Sequence, residues 1–304
     1  MGFAVCGLRR GGRWRGCMEV SRDVCGVGEQ AGWVRRVAVL AGRAVVAESV
    51  AWSVPEMASE PCNELERAVW EVSGEVDYAR EKVPFSTLRA TVLSRLAAEK
   101  EESDTRWWKA LRGSNQQSSL VTVPRRLIRD GTGIEIGDNV VGVAVDVPKI
   151  GALRDFSRVA EVSASYPLGP PILYTGIIAH SYQIFQARKE GARGVILQVS
   201  VFPVPDLIYH IKVARSLQME AFVEVHTRAE FDIAASLPQV EIILACDRDL
   251  DDPALSPRSI ADTIRILPPQ CPENVCIVIE GDVPTPETFN TERHDIHVVL
   301  NPPA

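Results

Sequence analysis

The residues best suited to chemistry lie in the second half of the chain. Glu224 and His226 stand two apart in the apolar run FVEVH, and a carboxylate beside an imidazole invites general acid–base work. We place His226 turned away from Glu224, toward a layer of covering helices, so that packing is its expected role. Asp247, Asp249, Asp251 and Asp252 form an acidic run that could hold a cation, and a solvated loop is the expected outcome. His180, His210, His294 and His297 show no pairing at ligand spacing. The seven cysteines contain no CxxC pair and no Cys/His ligand spacing, so neither a metal nor another cofactor is expected. Cys246, Cys271 and Cys276 read as reduced, buried small hydrophobes, and the odd total argues against a disulfide framework. Trp107 and Trp108 read as core or interface packing.

These residues need elements to position them. Short apolar, β-branched runs predict strands at 120–123, 140–145, 172–174, 194–199, 221–225, 242–245, 275–279 and 296–300. Helical stretches at 153–162, 181–191, 204–217, 228–237 and 256–266 lie between them. Continuously apolar strands alternating with helices specify a parallel sheet covered on both faces. The fold class is therefore α/β, and eight such strands fit a closed (β/α)8 TIM barrel. No GxGxxG follows a strand and no GxxxxGK[ST] occurs, so the phosphate loops of nucleotide folds are missing. Upstream, helices over 64–80 and 87–101 form an N-terminal helical extension. Leu65, Val69, Val72 and Val76 share one face of the first, and Leu88, Val92, Leu93 and Leu96 point inward from the second. A third, short helix carries Trp107, Trp108 and Leu111.

The connections after the first and seventh strands are short, and the chain ends just after the eighth. Barrel helices 1, 7 and 8 are thus expected to be shortened or missing. Strand surface left uncovered in this way would take a protein partner.

Composition divides the chain of 304 residues near position 62. Residues 1–62 hold eight Arg, no Lys and six acids, a balance of +2, while the remainder holds 25 bases against 34 acids, a balance of −9. The first segment reads as a basic targeting leader or a disordered tail, and an organelle, chiefly a plastid, is the expected destination, with the cytoplasm as the alternative. The acidic body, 63–304, argues against nucleic-acid binding, which needs clustered Lys and Arg. The longest apolar stretch, 37–54, is broken by Arg43 and Glu48, so no membrane span is expected.

The order of these segments resembles the indole-3-glycerol phosphate synthase family of tryptophan biosynthesis. The resemblance rests on SYQIFQARKEGARGVIL at 181–197, AFVEVHTRAEF at 221–231, CDRDL at 246–250 and IEGDVPTPE at 279–287. EVDYAREKVPFSTLRA at 75–90 is similar to the family's N-terminal helical extension, and VVGVAVD at 140–146 to its second strand. The resemblance implies a lyase reaction. An indole ring closes on a carboxyphenylamino-deoxyribulose phosphate, with loss of CO₂ and then of water. Such chemistry needs a general acid, a base, a cation for the carboxylate and donors for the phosphate, all at the carboxyl ends of barrel strands.

By this resemblance Glu224 and Glu280 keep the family's two active-site carboxylates, and Arg248 keeps its strand-six arginine. Arg125 stands where the family's first-strand lysine is found, and Val123 at the glutamate before it. Thr175 replaces the general-acid lysine of the third strand, and Gly176 the following aspartate. Cys246 occupies an asparagine position, and Gly281 with Asp282 the Ser-Gly after the seventh-strand glutamate. The Ser-Pro-Ser loop is absent, and Asn301-Pro302-Pro303 stands in place of the Gly-rich phosphate turn. The expected function is that of a catalytically impaired or inactive relative acting in binding or assembly. It would take a phosphorylated small-molecule ligand through Arg248, Cys246 and Gly281. The alternative is an active synthase or altered lyase that uses Glu224, Glu280 and Arg248.

Overall fold

The computed structural model describes the backbone of strands at 4–9, 13–19, 37–40 and 43–47, and then residues 61, 63–99, 107, 111, 119–123, 140–145, 156–165, 170–247, 260–281 and 296–301. The first four strands are β1 (Ala4–Arg9), β2 (Arg13–Glu19), β3 (Val37–Leu40) and β4 (Arg43–Ala47), paired antiparallel as β1–β2 and β3–β4. Residues 1–62 show no sustained strand period, but the joins Arg10-Gly11-Gly12 and Ala41-Gly42 have the length and glycine content of hairpin turns.

Helix α1 (Glu64–Lys82) begins at Asn63, whose Oδ1 accepts the Glu66 N–H at 2.8 Å. Glu64 and Glu66 in its first turn and Arg80 and Lys82 in its last complement the helix dipole. Pro84 ends it, because the residue before a proline is forced out of helical geometry. Pro84 then caps α2 (Phe85–Ala98), which buries Leu88 and Val92. Leu93, expected to face inward, is 42% exposed. Asn63→Ala is expected to cost about 1 kcal/mol, lowering the thermal midpoint by ~2–4 °C in a scan against the parent.

The barrel strands are β5 (Ser119–Val123), β6 (Val140–Val145), β7 (Ile172–Tyr174), β8 (Gly194–Gln198), β9 (Glu220–Val225), β10 (Ile242–Ala245), β11 (Cys276–Glu280) and β12 (Ile296–Asn301). All eight are parallel to their neighbours, and β12 pairs with β5 to close the barrel. The covering helices are α3 (Phe156–Ser165), α4 (Ser181–Lys189), α5 (Val204–Ser216), α6 (Arg228–Ser236) and α7 (Ile260–Ile266). Expected helices 1, 7 and 8, and the partner surface over them, fall on 124–139, 282–295 and 302–304, outside the described residues. Among the described residues no helix is long and apolar enough to cross a membrane.

Strand alternation sorts the core into two layers. Outward residues such as Val143, Tyr174, Val195, Val223, Ile243 and Ile277 pack under the helices. Inward residues, among them Ala144, Leu173, Ile196, Phe222, Leu244, Val278 and Val298, fill the barrel. Trp107 and Leu111 belong to this inner cluster, and the Trp107 ring meets Phe222 edge-on with centroids 5.1 Å apart. The indole also lies against Gly194, the first residue of β8. A Cβ there would stand 3.2 Å from its nitrogen, so a glycine makes room for this plug at the amino end of the barrel.

The N-terminal helices dock on α4. Phe85 stacks edge-on against Phe185, and the Tyr182 hydroxyl donates to the Val83 carbonyl at 3.1 Å. The Glu99 carboxylate accepts from Arg188 at 2.5 Å and Arg193 at 2.8 Å, which keeps the Glu99 carboxyl below its usual range against the opposing effect of burial.

Candidate functional site

The inward-facing polar groups gather at the carboxyl ends of the strands, where a barrel presents its chemistry. Register explains which of them meet. Parallel pairing sets Gln198 of β8 beside Glu224 of β9, and Glu224 beside Leu244 of β10. Continued two residues further, the same registers bring His226 beside Cys246, and Cys246 beside Glu280. One rung therefore carries Gln198 and Glu224, and the rung above it His226, Cys246 and Glu280. All five side chains are buried.

The expectation that His226 faces away from Glu224 is corrected here. The side-chain period of a strand is two, so positions 224 and 226 lie on the same face, and both point into the barrel. His226 Nε2 lies 3.0 Å from Glu224 Oε1, and its Nδ1 lies 3.5 Å from Glu230 Oε2 on α6. Glu230 Oε2 also accepts the His226 backbone N–H at 2.8 Å. Gln198 Nε2 donates to the other Glu224 oxygen at 3.0 Å. Burial by itself would push the imidazole toward its neutral form, but the charges and hydrogen bonds of Glu224 and Glu230 outweigh it and raise the His226 pKa to about 9. At neutral pH His226 is thus an imidazolium held by carboxylates on two elements.

Thr175 follows β7 at the strand end, half-buried, and its hydroxyl donates to the Val145 carbonyl at 2.7 Å. Glu280 closes β11, and its backbone carbonyl accepts from the Thr263 hydroxyl at 3.3 Å. Gly281 bonds through its N–H to Leu300 O at 3.2 Å. A Cβ on Gly281 would come within 2.6 Å of Ile260 Cγ1, so the packing of α7 leaves no room for a hydroxyl-bearing side chain there. Cys246 is fully buried, and its N–H donates to Val225 O at 3.0 Å. Arg125 and Arg248 lie outside the described residues, as do Asp249, Asp251 and Asp252 of the acidic run. Of that run Asp247 is described, with its N–H directed at the Thr263 hydroxyl, 3.4 Å away.

Gln198 and Glu230 are site residues that the sequence reading does not single out. A signal for Gln198 was available, since it is the one polar residue ending the apolar strand GVILQ. Glu230 carries no such signal, because it reaches the site from the first turn of α6. The remaining described histidines have local roles. His180 caps α4 by accepting the Tyr182 N–H at 3.0 Å, and His210 stacks on Phe202.

Glu224, His226 and Cys246 each offer one donor atom, and these lie within 4.8 Å of one another. Ligand-spacing rules along the chain overlook this set, since Glu224 lies on β9, His226 just after it, and Cys246 just after β10.

Two comparisons bear on what this barrel is. The family model for indole-3-glycerol phosphate synthase matches residues 150–300, the span that supplies Thr175, Glu224, Cys246 and Glu280. An indole-3-glycerol phosphate synthase of Microcystis aeruginosa is 30% identical over 226 residues, covering 68% of this chain and 72% of the relative. The chain belongs to the indole-3-glycerol phosphate synthase family. Synthases of Acaryochloris marina and Trichodesmium erythraeum are similar at 28% and 30% identity, over 68% and 66% of this chain and 70% and 68% of theirs. As a member of this family the chain has the TIM-barrel fold and a place among proteins of tryptophan biosynthesis that bind a phosphorylated substrate.

Proposed function

We propose that this family member is impaired or inactive in ring closure and acts by binding a phosphorylated small molecule or in assembly. One observation carries this reading. At the third-strand position of the family's general-acid lysine stands Thr175, whose hydroxyl proton is engaged by the Val145 carbonyl at 2.7 Å. A hydroxyl of very high pKa is a poor proton donor, and loss of a positioned acid lowers a rate on the order of 10²–10⁴-fold. The purified chain, given the carboxyphenylamino-deoxyribulose phosphate and followed by indole fluorescence, is expected to turn over on the order of 10²–10⁴-fold more slowly than a synthase that keeps the lysine. Turnover as fast as that of such a synthase defeats the proposal.

A second reading, an active synthase or altered lyase working through Glu224, Glu280 and Arg248, is favoured by the imidazolium beside Glu224. His226 would supply the proton that Thr175 does not. The same assay separates the two readings. For residues 1–62 the basic, lysine-free composition supports import into an organelle, chiefly a plastid.

A further inference from the structure

We propose that Glu224, His226 and Cys246 form a zinc site with three protein ligands and an open fourth position. The donors are Glu224 Oε, a ring nitrogen of His226 and Cys246 Sγ, all on buried residues and within 4.8 Å of one another. The ion would take the place of the proton shared by His226 and Glu224 and would release the Cys246 thiol proton to solvent. Ligands on a tetrahedral zinc, with bonds of about 2.0–2.3 Å, stand roughly 3.2–3.7 Å apart. The 3.0 Å between Glu224 Oε1 and His226 Nε2 is already close to that separation. Closing the set around an ion takes shifts on the order of 1 Å or less, within reach of side-chain rotation.

The donor chemistry selects the metal. One thiolate with one imidazole disfavours magnesium and calcium, which prefer all-oxygen shells. Sulfur, nitrogen and oxygen together suit the borderline Zn²⁺. Three protein ligands on rigid strand ends also match the arrangement of zinc sites that keep one position for water or a ligand.

A second, independent feature is the support around the ligands. A zinc-bound histidine usually turns its other ring nitrogen to a carboxylate, and His226 Nδ1 lies 3.5 Å from Glu230 Oε2. A zinc-bound carboxylate is usually held by a hydrogen bond to its free oxygen, and Gln198 Nε2 supplies one to Glu224 Oε2 at 3.0 Å. The Gln198 hydrogen bond is in place, and the Glu230 carboxylate stands within ion-pair reach of Nδ1. The site does not rest on the loss or retention of ring closure. A bound ion would engage Glu224, so it would compete with any lyase use of that carboxylate.

The test uses the full-length chain stripped of metal by a chelator and titrated with Co²⁺ as a spectroscopic stand-in. One equivalent is expected to bind and to give the near-ultraviolet charge-transfer band of a cobalt thiolate. Cys246→Ser should abolish the band, Cys271→Ser should keep it, and Glu230→Gln should weaken affinity by about 10–100-fold. A band that survives Cys246→Ser, or its absence from the parent chain, overturns the proposal. X-ray absorption on the zinc-loaded parent requires no variant. One sulfur near ~2.3 Å with nitrogen or oxygen neighbours near ~2.0–2.1 Å is expected, and a shell without sulfur overturns the site.

Discussion

The double variant Arg125→Lys/Thr175→Lys is expected to gain ring-closing turnover of the carboxyphenylamino-deoxyribulose phosphate, on the order of 10²–10⁴-fold over the parent chain. A lysine ammonium at the end of β7 can give up a proton as the ketone oxygen is attacked. A threonine hydroxyl has too high a pKa to do so, and the one present is engaged by Val145 O. Arginine at 125 can attract the substrate carboxylate but does not release a proton near neutral pH. The carboxylates that would complete the machinery, Glu224 and Glu280, remain buried at the ends of β9 and β11. Indole fluorescence of parent, single and double variants checks the gain. A folded double variant with unchanged turnover would move the deficit elsewhere, and the phosphate end of the site, where Gly281 stands, would be the next place to look.

The second large effect concerns stability. In the metal-free protein the His226 imidazolium, with a pKa near 9 against 6.5 unperturbed, should contribute on the order of 3 kcal/mol to folding. Its sign follows from proton binding. The folded chain holds this proton more tightly than the unfolded one, so the contribution is complete below about pH 6.5 and is lost as pH rises through about 9. Urea unfolding at pH 6, 7.5 and 9.5 in the presence of chelator measures it, with His226→Gln as the reference. The difference between parent and variant should shrink as the pH rises, and a difference flat across that range would contradict a charged His226. Glu224→Ala removes the nearer carboxylate and leaves the imidazolium with Glu230, so a loss of about 3–5 kcal/mol is expected near neutral pH.

The eight strands are legible in the chain because each is a short, continuously apolar run bounded by polar or turn residues. Val140–Val145, Ile172–Tyr174 and Ile242–Ala245 occupy the predicted positions. α1 is legible from Leu65, Val69, Val72 and Val76, its buried face. Leu93 shows the limit of such patterns. An apolar residue one step beyond Val92 rotates off the docked face, and only the position of α4 defines where that face ends.

By itself, then, the sequence determined that this is a parallel α/β barrel of the indole-3-glycerol phosphate synthase family. Periodicity and motif order are local properties, and each can be read without knowing what lies across the barrel. The partners of Glu224 were decided by the tertiary structure. His226 joins it from two positions along the chain and Gln198 from the preceding strand, while Glu230 reaches His226 from the helix that follows. Cys246 enters the same cluster through the register of β9 on β10. Such contacts depend on strand register and on where a helix returns to the sheet, which barrel closure sets for all eight strands together. The charge of His226, and whatever the cluster binds, follow from that closure.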